Sequence, residues 1–270
     1  MPVKLGIIGC GKMGYALLNG ISCGSSDYKA IYACDTSVER TGVFVQEFQA
    51  VQADKPQLIA DADIVILAVK PTQAKEVLAG TESLWNTDKL LISIAAGIKT
   101  STIEKELGKP IPVVRVMPNT PCLVGEGVSA VSAGSYANQS HLKLVQAMMS
   151  QVGLSIVINE VHMDAVTAVS GSGPAYAFLV VESMIDAALN LGLSNETARC
   201  LVLQTLKGSI TMLEQTGEHP AVLKAQVTSP GGTTIAGLRE LEAGGIREAF
   251  FAAIERAYHR SIELGADNHE

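Results

Sequence analysis

The sequence predicts an α/β protein in which a doubly wound parallel sheet is followed by an all-helical second domain. Over the first 160 residues, short apolar runs alternate with helical patterns. This alternation is typical of a parallel sheet with helices on both of its faces. After Asn159 the strand pattern stops and helical periodicity continues to the end of the chain. We therefore predict two domains, residues 1–160 and residues 161–270.

Seven strands are predicted in the first domain, and several helices lie between them. The strands are Leu5–Ile8, Ala30–Cys34, Ile64–Val69, Leu90–Ile94, Pro112–Val116, Gly127–Ala133 and Leu154–Val157. The helices of the first domain are Met13–Ile21, Ser37–Phe48, Thr72–Leu78 and Gln139–Gln151. Those of the second domain are Ala165–Val169, Ala175–Leu191, Asn195–Gln215, Gly231–Ala243 and Arg247–Leu264. In sheets of the doubly wound kind, ligands bind at the carboxyl ends of the strands.

The first strand runs into three glycines, Gly9, Gly11 and Gly14, and then into the helical pattern of residues 15–18. The first glycine allows a sharp turn, the second lets backbone approach a pyrophosphate, and the third lets the helix pack closely on the sheet. The helix N-terminus then faces the phosphates. Asp35 ends the next strand, where an acidic side chain can bind a ribose hydroxyl. A tight turn in another α/β protein is the alternative, but the four features together favour a Rossmann dinucleotide-binding domain.

Three other predicted strands end in prolines or small residues at the same edge of the sheet. The third strand runs into Lys70-Pro71, the fourth into Ala95-Ala96-Gly97, and the fifth into Met117-Pro118-Asn119-Thr120-Pro121. Such residues form stiff loops that a cofactor can approach closely. Each alone is compatible with an ordinary strand-to-helix turn, but three at one edge favour a cofactor site.

Composition and charge exclude several classes of protein. The net charge of −7 argues against nucleic acid or an anionic membrane as the main partner. The longest apolar strand is far too short to cross a bilayer, and no signal peptide fits the beginning of the sequence. The five cysteines include no CxxC pair, which favours reduced thiols in a cytoplasmic protein. No His, Cys and Asp spacing indicates a metal site.

The helix predicted from Pro174 to Leu191 is apolar on nearly every side. A helix of this kind must be buried on every face. Because a domain of about 110 residues has little material to surround it, we predict that it lies in a subunit interface.

Two glycine-rich segments open helices in the second domain, at residues 170–174 (SGSGP) and 227–235 (VTSPGGTTI). Both combine small residues with hydroxyls, so free backbone N–H groups and a positive helix end are available to hold a carboxylate. Ordinary helix capping is the alternative reading for each.

The second domain also lacks a pattern that hydroxy-acid dehydrogenases need. No lysine or histidine lies between His162 and Lys207, although such enzymes use one as an acid–base group near the substrate. An imine suits this chain better, because it can bind already protonated and then needs only positioning and a neighbouring hydroxyl.

At this point the sequence resembles the pyrroline-5-carboxylate reductases, and the resemblance runs the length of the chain. The segments that carry it are Gly9–Gly14, Ala68–Pro71, Arg115–Pro121, Ser170–Tyr176 and Val227–Leu238. The last of these, VTSPGGTTIAGL, is close to a signature of the family and is highly specific.

The resemblance implies the last step of proline biosynthesis, in which NAD(P)H gives a hydride to the imine carbon of 1-pyrroline-5-carboxylate to yield L-proline. It implies that backbone amides in the second glycine-rich segment bind the substrate carboxylate, and that the Thr234 hydroxyl lies at the ring nitrogen as proton donor. The predicted substrate-binding residues are Ser172, Ser229, Gly231, Gly232 and Thr233. The predicted cofactor-binding residues are Gly9, Gly11, Lys12, Met13, Gly14, Asp35, Thr36, Lys55, Ala68, Val69, Lys70, Pro71, Ala95, Ala96, Gly97 and Asn119.

The resemblance further implies a homodimer through the helical domain, with dimers often joined into a decamer. The active site would then combine the sheet edge of one subunit with helices of its partner.

The choice between NADH and NADPH stays open on the sequence. Asp35 should repel a 2′-phosphate, whereas Lys55, Arg40 and the hydroxyls of Thr36 and Ser37 can attract one. Lys55 stands where the family commonly has an asparagine. Both cations can equally be solvated surface charges.

Two alternative functions remain at this stage. One is the reduction of a different imine or of a 2-oxo or hydroxy acid by the same two-domain plan. The other is a non-catalytic NAD(P) sensor, which would have no use for two anion-binding turns in its helical domain.

Overall fold

The first part of the chain folds into an eight-stranded sheet with helices on both faces. The computed structural model describes residues 3–24 and 28–266. The strands are β1 Val3–Ile8, β2 Tyr28–Cys34, β3 Val51–Gln52, β4 Ile64–Leu67, β5 Leu90–Ser93, β6 Val113–Met117, β7 Gly127–Ala133 and β8 Gly153–Val157. All seven predicted strands are present, with ends that differ by no more than two residues.

The helices of this part alternate with the strands, as predicted. They are α1 Lys12–Gly24, α2 Val38–Phe48, α3 Lys55–Asp61, α4 Pro71–Leu78, α5 Thr100–Leu107 and α6 Gln139–Met149. Strand β3 and helices α3 and α5 were not predicted. All three are short, and helices of seven or eight residues offer few turns in which an apolar period can appear, although α4, which is equally short, was predicted.

The strand order is β3-β2-β1-β4-β5-β6-β7-β8, and the strands from β1 to β6 are parallel to one another. This is the doubly wound arrangement that the sequence predicts, with the topological switch point between β1 and β4. At the far edge the sheet departs from the fully parallel prediction. Strand β7 is antiparallel to β6, and β8 is parallel to β7. Only a short loop joins β6 to β7, and such a loop cannot make the crossover that parallel neighbours require.

Two apolar clusters fill the two faces of this sheet. Alternate residues of the central strands belong to different clusters, so that Leu5 and Ile7 lie in one and Ile8 lies in the other. The first cluster includes side chains of α1, α2 and α6, and the second includes side chains of α3, α4 and α5. The period of two along each strand thus produces a core layer on each side of the sheet.

The remaining helices are α7 Met163–Val166, α8 Gly173–Asn190, α9 Asn195–Thr216, α10 Pro220–Gln226, α11 Thr233–Ala243 and α12 Ile246–Ala266. Helix α10 was not predicted. The chain divides into two compact units: the first holds the sheet, the chain up to Pro174 and the chain from Arg256 onward, and the second is Ala175–Glu255. The predicted domain boundary at residue 160 follows the last strand and stays a prediction.

The second unit contains helices and exposes many large apolar side chains. On α8, Phe178 is 67% exposed and Leu179 is 61% exposed, and α9 exposes Leu201 and Ile210. Such a surface on a helix that is apolar nearly all round is typical of a protein–protein interface. Among the described residues, no helix is long and apolar enough to cross a membrane.

Candidate active site

The glycine loop between β1 and α1 has the geometry that its sequence predicts. Gly9 has a φ of +104°, and a Cβ placed on it would lie 2.5 Å from the carbonyl oxygen of Ala68. A Cβ on Gly14 would lie 2.5 Å from the carbonyl oxygen of Gly9, so α1 packs directly against the turn. Around Gly11, by contrast, no atom of the described residues lies within 4 Å of such a Cβ. The loop is therefore tight on its inner side and open where a pyrophosphate would bind.

Asp35, at the end of β2, holds this loop in place. One carboxylate oxygen accepts a hydrogen bond of 2.7 Å from the Cys10 amide, and the other accepts one of 2.8 Å from the Ser37 amide. The side chain is half-buried beside the glycine loop. Asp35 therefore stands at the predicted ribose position and also links the ends of β1 and β2.

Backbone hydrogen bonds join the carboxyl ends of neighbouring strands into one continuous edge. The amide of Gly9 donates to Cys34 over 2.8 Å, and the amide of Ala68 donates to Ile8 over 2.7 Å. The amide of Ile94 donates to Leu67 over 3.1 Å. The predicted cofactor loops after β1, β4 and β5 are thus brought together along this edge of the sheet.

Asn119 lies further along the edge, after β6, and is 9% exposed. Its side-chain oxygen accepts a hydrogen bond of 2.9 Å from the amide of Val128 at the start of β7. This bond gives Asn119 a structural role that the sequence did not reveal. Its predicted contact with a cofactor stays a prediction.

The side chains that are predicted to contact the cofactor through a positive charge or a hydroxyl lie near the starts of helices in the first unit. Lys12 is the exposed first residue of α1, and Lys70 is the exposed N-cap residue of α4. Lys55 begins α3 and is half-buried, whereas Arg40 and Thr36 are exposed near the start of α2. These side chains lie on the same unit as Asp35, and their contacts with a cofactor stay predictions.

In the second unit, residues 228–232 form a tight turn that leads into α11. The amide of Gly232 donates to the carbonyl of Ser229 over 3.1 Å, and Gly231 has a φ of +66°. Gly232 is the N-cap of α11 and has no side chain with which to cap it. The first N–H groups of α11, including those of Thr233 and Thr234, thus have the orientation that binds a carboxylate.

The other glycine-rich segment differs from its prediction. Residues 170–174 do not open a free helix, because a π-helical turn, Thr167–Gly171, continues from α7 toward α8. The amide of Ser172 donates to the carbonyl of Thr167 over 2.9 Å and is therefore not available to a carboxylate. A Cβ on Gly171 would lie 2.5 Å from Cε of Met117, which places this turn beside the end of β6. π-helical turns are frequent at functional sites.

Cys10 lies inside the glycine loop without the properties of a nucleophile. Burial and, second to it, the negative charge of Asp35 raise the pKa of its thiol to about 12. The protonated thiol acts as a small apolar filler. Among the described residues, no group of three His, Cys, Asp or Glu side chains is placed to hold a metal ion.

Known proteins match this chain over nearly its whole length. Residues 160–264 match the family profile described as "Pyrroline-5-carboxylate reductase dimerisation", and residues 4–97 match the one described as "NADP oxidoreductase coenzyme F420-dependent". Pyrroline-5-carboxylate reductase of Corynebacterium melassecola is 41% identical over 265 residues, which is 97% of this chain and 98% of that protein. The chain belongs to the pyrroline-5-carboxylate reductase family.

Two further reductases of this family support the assignment. The protein of Methanosarcina acetivorans is 43% identical over 97% of this chain and 98% of its own length. A crystal structure of the Plasmodium falciparum pyrroline carboxylate reductase with NADP bound has a TM-score of 0.89 and 36% identity, covering 97% of this chain and 98% of that one.

Family membership confirms the predicted activity, fold class and cofactor class. This reductase transfers a hydride from NAD(P)H to the C=N bond of 1-pyrroline-5-carboxylate. Its sheet-containing part is the nucleotide-binding domain, and residues 160–264 match the dimerisation domain of the family, which indicates a homodimer.

Sequence reasoning missed the roles of five residues of this reductase that lie at or near a predicted cofactor loop. Glu160 accepts hydrogen bonds from the backbone and hydroxyl of Thr100, and Ser261 donates to Asp164. Arg115 lies in a segment that resembles the family, but that segment does not reveal that its side chain is 2% exposed and paired with Glu160. These contacts join segments that are 45 to 97 residues apart, so no local pattern could have indicated them.

Proposed function

We propose that this reductase binds the carboxylate of pyrroline-5-carboxylate at the start of α11 and places the Thr234 hydroxyl at the ring nitrogen. The observation that carries the proposal is the N-terminus of α11, where a glycine N-cap leaves the first amides without a capping side chain. A helix N-terminus of this kind favours an anion through its free N–H groups and its dipole.

Small residues make this turn accessible to a compact substrate. A Cβ on Gly232 would lie against the Ser229 hydroxyl, so a larger residue at that position would displace this side chain. Thr233 and Thr234 follow as the first two residues of the helix, and Thr234 is half-buried. We assign the amides of Gly231 and Thr233 to the carboxylate. The Gly232 amide donates to the Ser229 carbonyl and is therefore not available for the predicted contact. Ser229 and Ser172 stay predicted substrate contacts.

The residues at the sheet edge fit NAD(P)H. The open space at Gly11 accommodates a pyrophosphate, while Gly9 and Gly14 leave no room for a side chain beneath it. When bound, NAD(P)H supplies the hydride for the imine carbon. The loops after β4 and β5 contribute small residues beside it, namely Ala68, Val69, Ala95 and Ala96.

The chemistry then requires orientation more than acid–base catalysis. A protonated imine already carries the proton that the product amine keeps, so the site has to hold the ring, exclude water and accept the hydrogen bond of the iminium N–H, as the oxygen of the Thr234 hydroxyl can. Positioning of this kind can contribute about 7–11 kcal/mol in favourable cases. The sequence has no lysine or histidine between residues 162 and 207, which agrees with a site that orients its substrate and does not depend on an acid–base side chain there.

We further propose that the homodimer completes the active site and that dimers can join into a decamer. The exposed apolar side chains of α8 and α9 support the first part, since a monomer would leave them in water. The free thiols of Cys10, Cys34, Cys122 and Cys200 support the predicted cytoplasmic location.

The test is to follow the absorbance of NADH and NADPH in parallel after pyrroline-5-carboxylate is added to the purified protein. Rapid oxidation is expected, and the Thr234→Val variant should lower kcat on the order of a hundredfold. Thr234→Ser keeps the hydroxyl and should retain most of the activity. Unchanged turnover in Thr234→Val would remove the proposed role of this hydroxyl. No oxidation by the folded, cofactor-binding wild type would point instead to another imine or to a sensor.

A further inference from the structure

The loop after β5, residues 94–99, is in direct backbone contact with the last turns of α12. A Cβ on Gly265 would lie 2.7 Å from the carbonyl oxygen of Gly97. A Cβ on Gly97 would lie 3.3 Å from both the Gly265 amide nitrogen and the Ser261 carbonyl oxygen. Only a glycine at each of these positions lets the two backbones come this close. This contact lies entirely within the first unit, to which α12 belongs from Arg256 onward.

A hydrogen bond holds α12 in this position. The Ser261 hydroxyl donates to Oδ1 of Asp164 over 2.7 Å, and Ser261 is only 4% exposed. Asp164 lies in α7, four residues after Glu160. The segment that follows β8 therefore contacts the end of α12.

Glu160 holds the end of the same loop, where the chain enters α5. Its carboxylate accepts a hydrogen bond of 2.8 Å from the amide of Thr100 and one of 2.7 Å from the Thr100 hydroxyl. Thr100 is the first residue of α5, and the N-cap residue Lys99 makes no side-chain capping bond. Glu160 therefore caps α5 from 60 residues away in the sequence.

The Glu160 carboxylate is in turn held by Arg115 on β6. Nη1 of Arg115 lies 3.3 Å from Oε1 of Glu160, and the arginine side chain is buried. A buried charge of this kind is tolerated only when it is paired, so the geometry of Glu160 is tightly constrained.

We propose that Glu160, Asp164, Ser261 and Gly265 form a clamp that positions the loop after β5 against the nicotinamide half of the cofactor. This inference rests on the proposed cofactor site. Asp35 marks the adenosine half at β2, on one side of β1, so the other half of a dinucleotide extends over β4 and β5. The loop after β5 is therefore on the nicotinamide side, and the clamp fixes it at Gly97, within the loop, and at Thr100, where the loop enters α5. The four residues are positioning residues and are not catalytic.

The experiment compares two ligands that differ only in the nicotinamide group. Binding of NADPH and of 2′-phospho-ADP-ribose is measured by calorimetry for the wild type and for the variants Gly265→Ala, Ser261→Ala and Glu160→Gln. Gly42→Ala is the matched control, because it adds the same methyl to a helix where, among the described residues, no atom lies within 4 Å. Hydrogen exchange of the amides of residues 96–100 is followed in the same proteins without ligand.

Each clamp variant should weaken NADPH binding by about tenfold and leave the fragment within about twofold, since small displacements of positioning groups have large effects on the group they position. Exchange of the Thr100 amide should accelerate in Glu160→Gln. Gly42→Ala should match the wild type in all three measurements.

Equal weakening of both ligands, or no weakening of either, in variants with wild-type circular dichroism would overturn the clamp. Ser261→Ala adds no bulk, so it keeps the test open if Gly265→Ala fails to fold. Wild-type turnover with pyrroline-5-carboxylate is measured separately and reports on the proposed function. If the wild type shows no turnover but the clamp variants still weaken NADPH binding more than fragment binding, the proposed function is wrong and the clamp is supported.

Discussion

Asp35 has a predicted task in binding a ribose and a structural task in holding two loops, and both use the same carboxylate. It stands where a ribose hydroxyl is bound in the Rossmann fold, and both of its oxygens already accept backbone amides, from Cys10 and Ser37. Oδ1 also accepts a long hydrogen bond of 3.5 Å from the Thr36 hydroxyl, whereas Oδ2 retains a second lone pair for a ribose hydroxyl, so the two tasks are compatible. The sequence could predict the first task from the spacing of the motif. The second depends on the three-dimensional approach of two loops.

The first prediction concerns the Asp35→Asn variant. Loss of the negative charge should raise the ratio of kcat/KM for NADPH to that for NADH, because repulsion of the 2′-phosphate is removed. The side-chain NH2 of the asparagine should also lie against one of the two backbone N–H groups that now donate to the carboxylate. Because two donors then face each other, the free energy of unfolding should fall by about 1–2 kcal/mol. Steady-state kinetics with both cofactors and urea denaturation measure the two effects.

Asp88→Asn is the control for Asp35→Asn, because it removes the same charge from an exposed position. It should change neither the cofactor ratio nor the stability. An unchanged cofactor ratio in Asp35→Asn would show that this carboxylate serves the loop alone.

The buried thiol of Cys10 predicts a dependence of stability on alkaline pH. Its pKa is raised to about 12 by burial first and by the charge of Asp35 second, from an ordinary value of 9.0. A group whose pKa is raised by folding contributes stability below its unfolded pKa and loses that contribution as pH rises through the folded pKa. The loss should therefore extend from pH 9.0 to about 12.

Urea denaturation at pH 8 and at pH 10 checks this prediction with the Cys10→Ala variant as comparison. The free energy of unfolding should fall less in the variant over this interval, although burial also raises the pKa of Cys34 and Cys122 in both proteins. Equal falls in the two proteins would argue that the thiol of Cys10 does not contribute.

At the scale of elements, the short helices are the part of the fold that the sequence did not reveal. Helix α3 has seven residues, and its stabilising contacts come largely from outside its own sequence. Asp54 caps its N-terminus locally, but its C-terminal carbonyls are bound by a distant side chain. Nζ of Lys89 donates to Ala60 over 2.8 Å and to Ala62 over 2.6 Å. In contrast, longer helices such as α2, α6 and α9 were predictable because period and local caps coincide.

The third prediction follows from this contact. Lys89→Met keeps an unbranched apolar stem but leaves two carbonyls at the end of α3 without their donor. The free energy of unfolding should fall by about 1–3 kcal/mol, because Lys89 is 8% exposed and water cannot replace the donor freely. Thermal or urea denaturation measures the change.

Lys105→Met is the matched control, since Lys105 is exposed on α5. It should change stability by no more than about 0.5 kcal/mol. A loss of the same size in both variants would argue that the effect is one of net charge and not of helix capping.

For the whole molecule, three sequence patterns predicted different levels of organisation. The alternation of strands and helices predicted the doubly wound sheet, and the glycine spacing predicted its binding edge. The all-apolar helix predicted an interface, because its residues could not all be buried within one chain. The reversed direction of β7 was not predictable in this way, since it depends on the length of a loop and not on any apolar period. The contacts around Glu160 and Ser261 were not predictable either, because they join residues far apart in the sequence and leave no local pattern.

The apolar surface of α8 leads to the last prediction, for the variant Phe178→Asp. Phe178 is 67% exposed in one chain, and a charge in its place would have to be desolvated in a subunit interface. Sedimentation should show a large shift toward monomer, and turnover should fall with it if the active site needs both subunits. Val38→Asp replaces an apolar side chain that is 72% exposed on α2 of the first unit, and it should remain a dimer. A Phe178→Asp protein that stays dimeric at wild-type concentrations would place the interface elsewhere. A monomer with full turnover would instead show that each chain carries a complete active site.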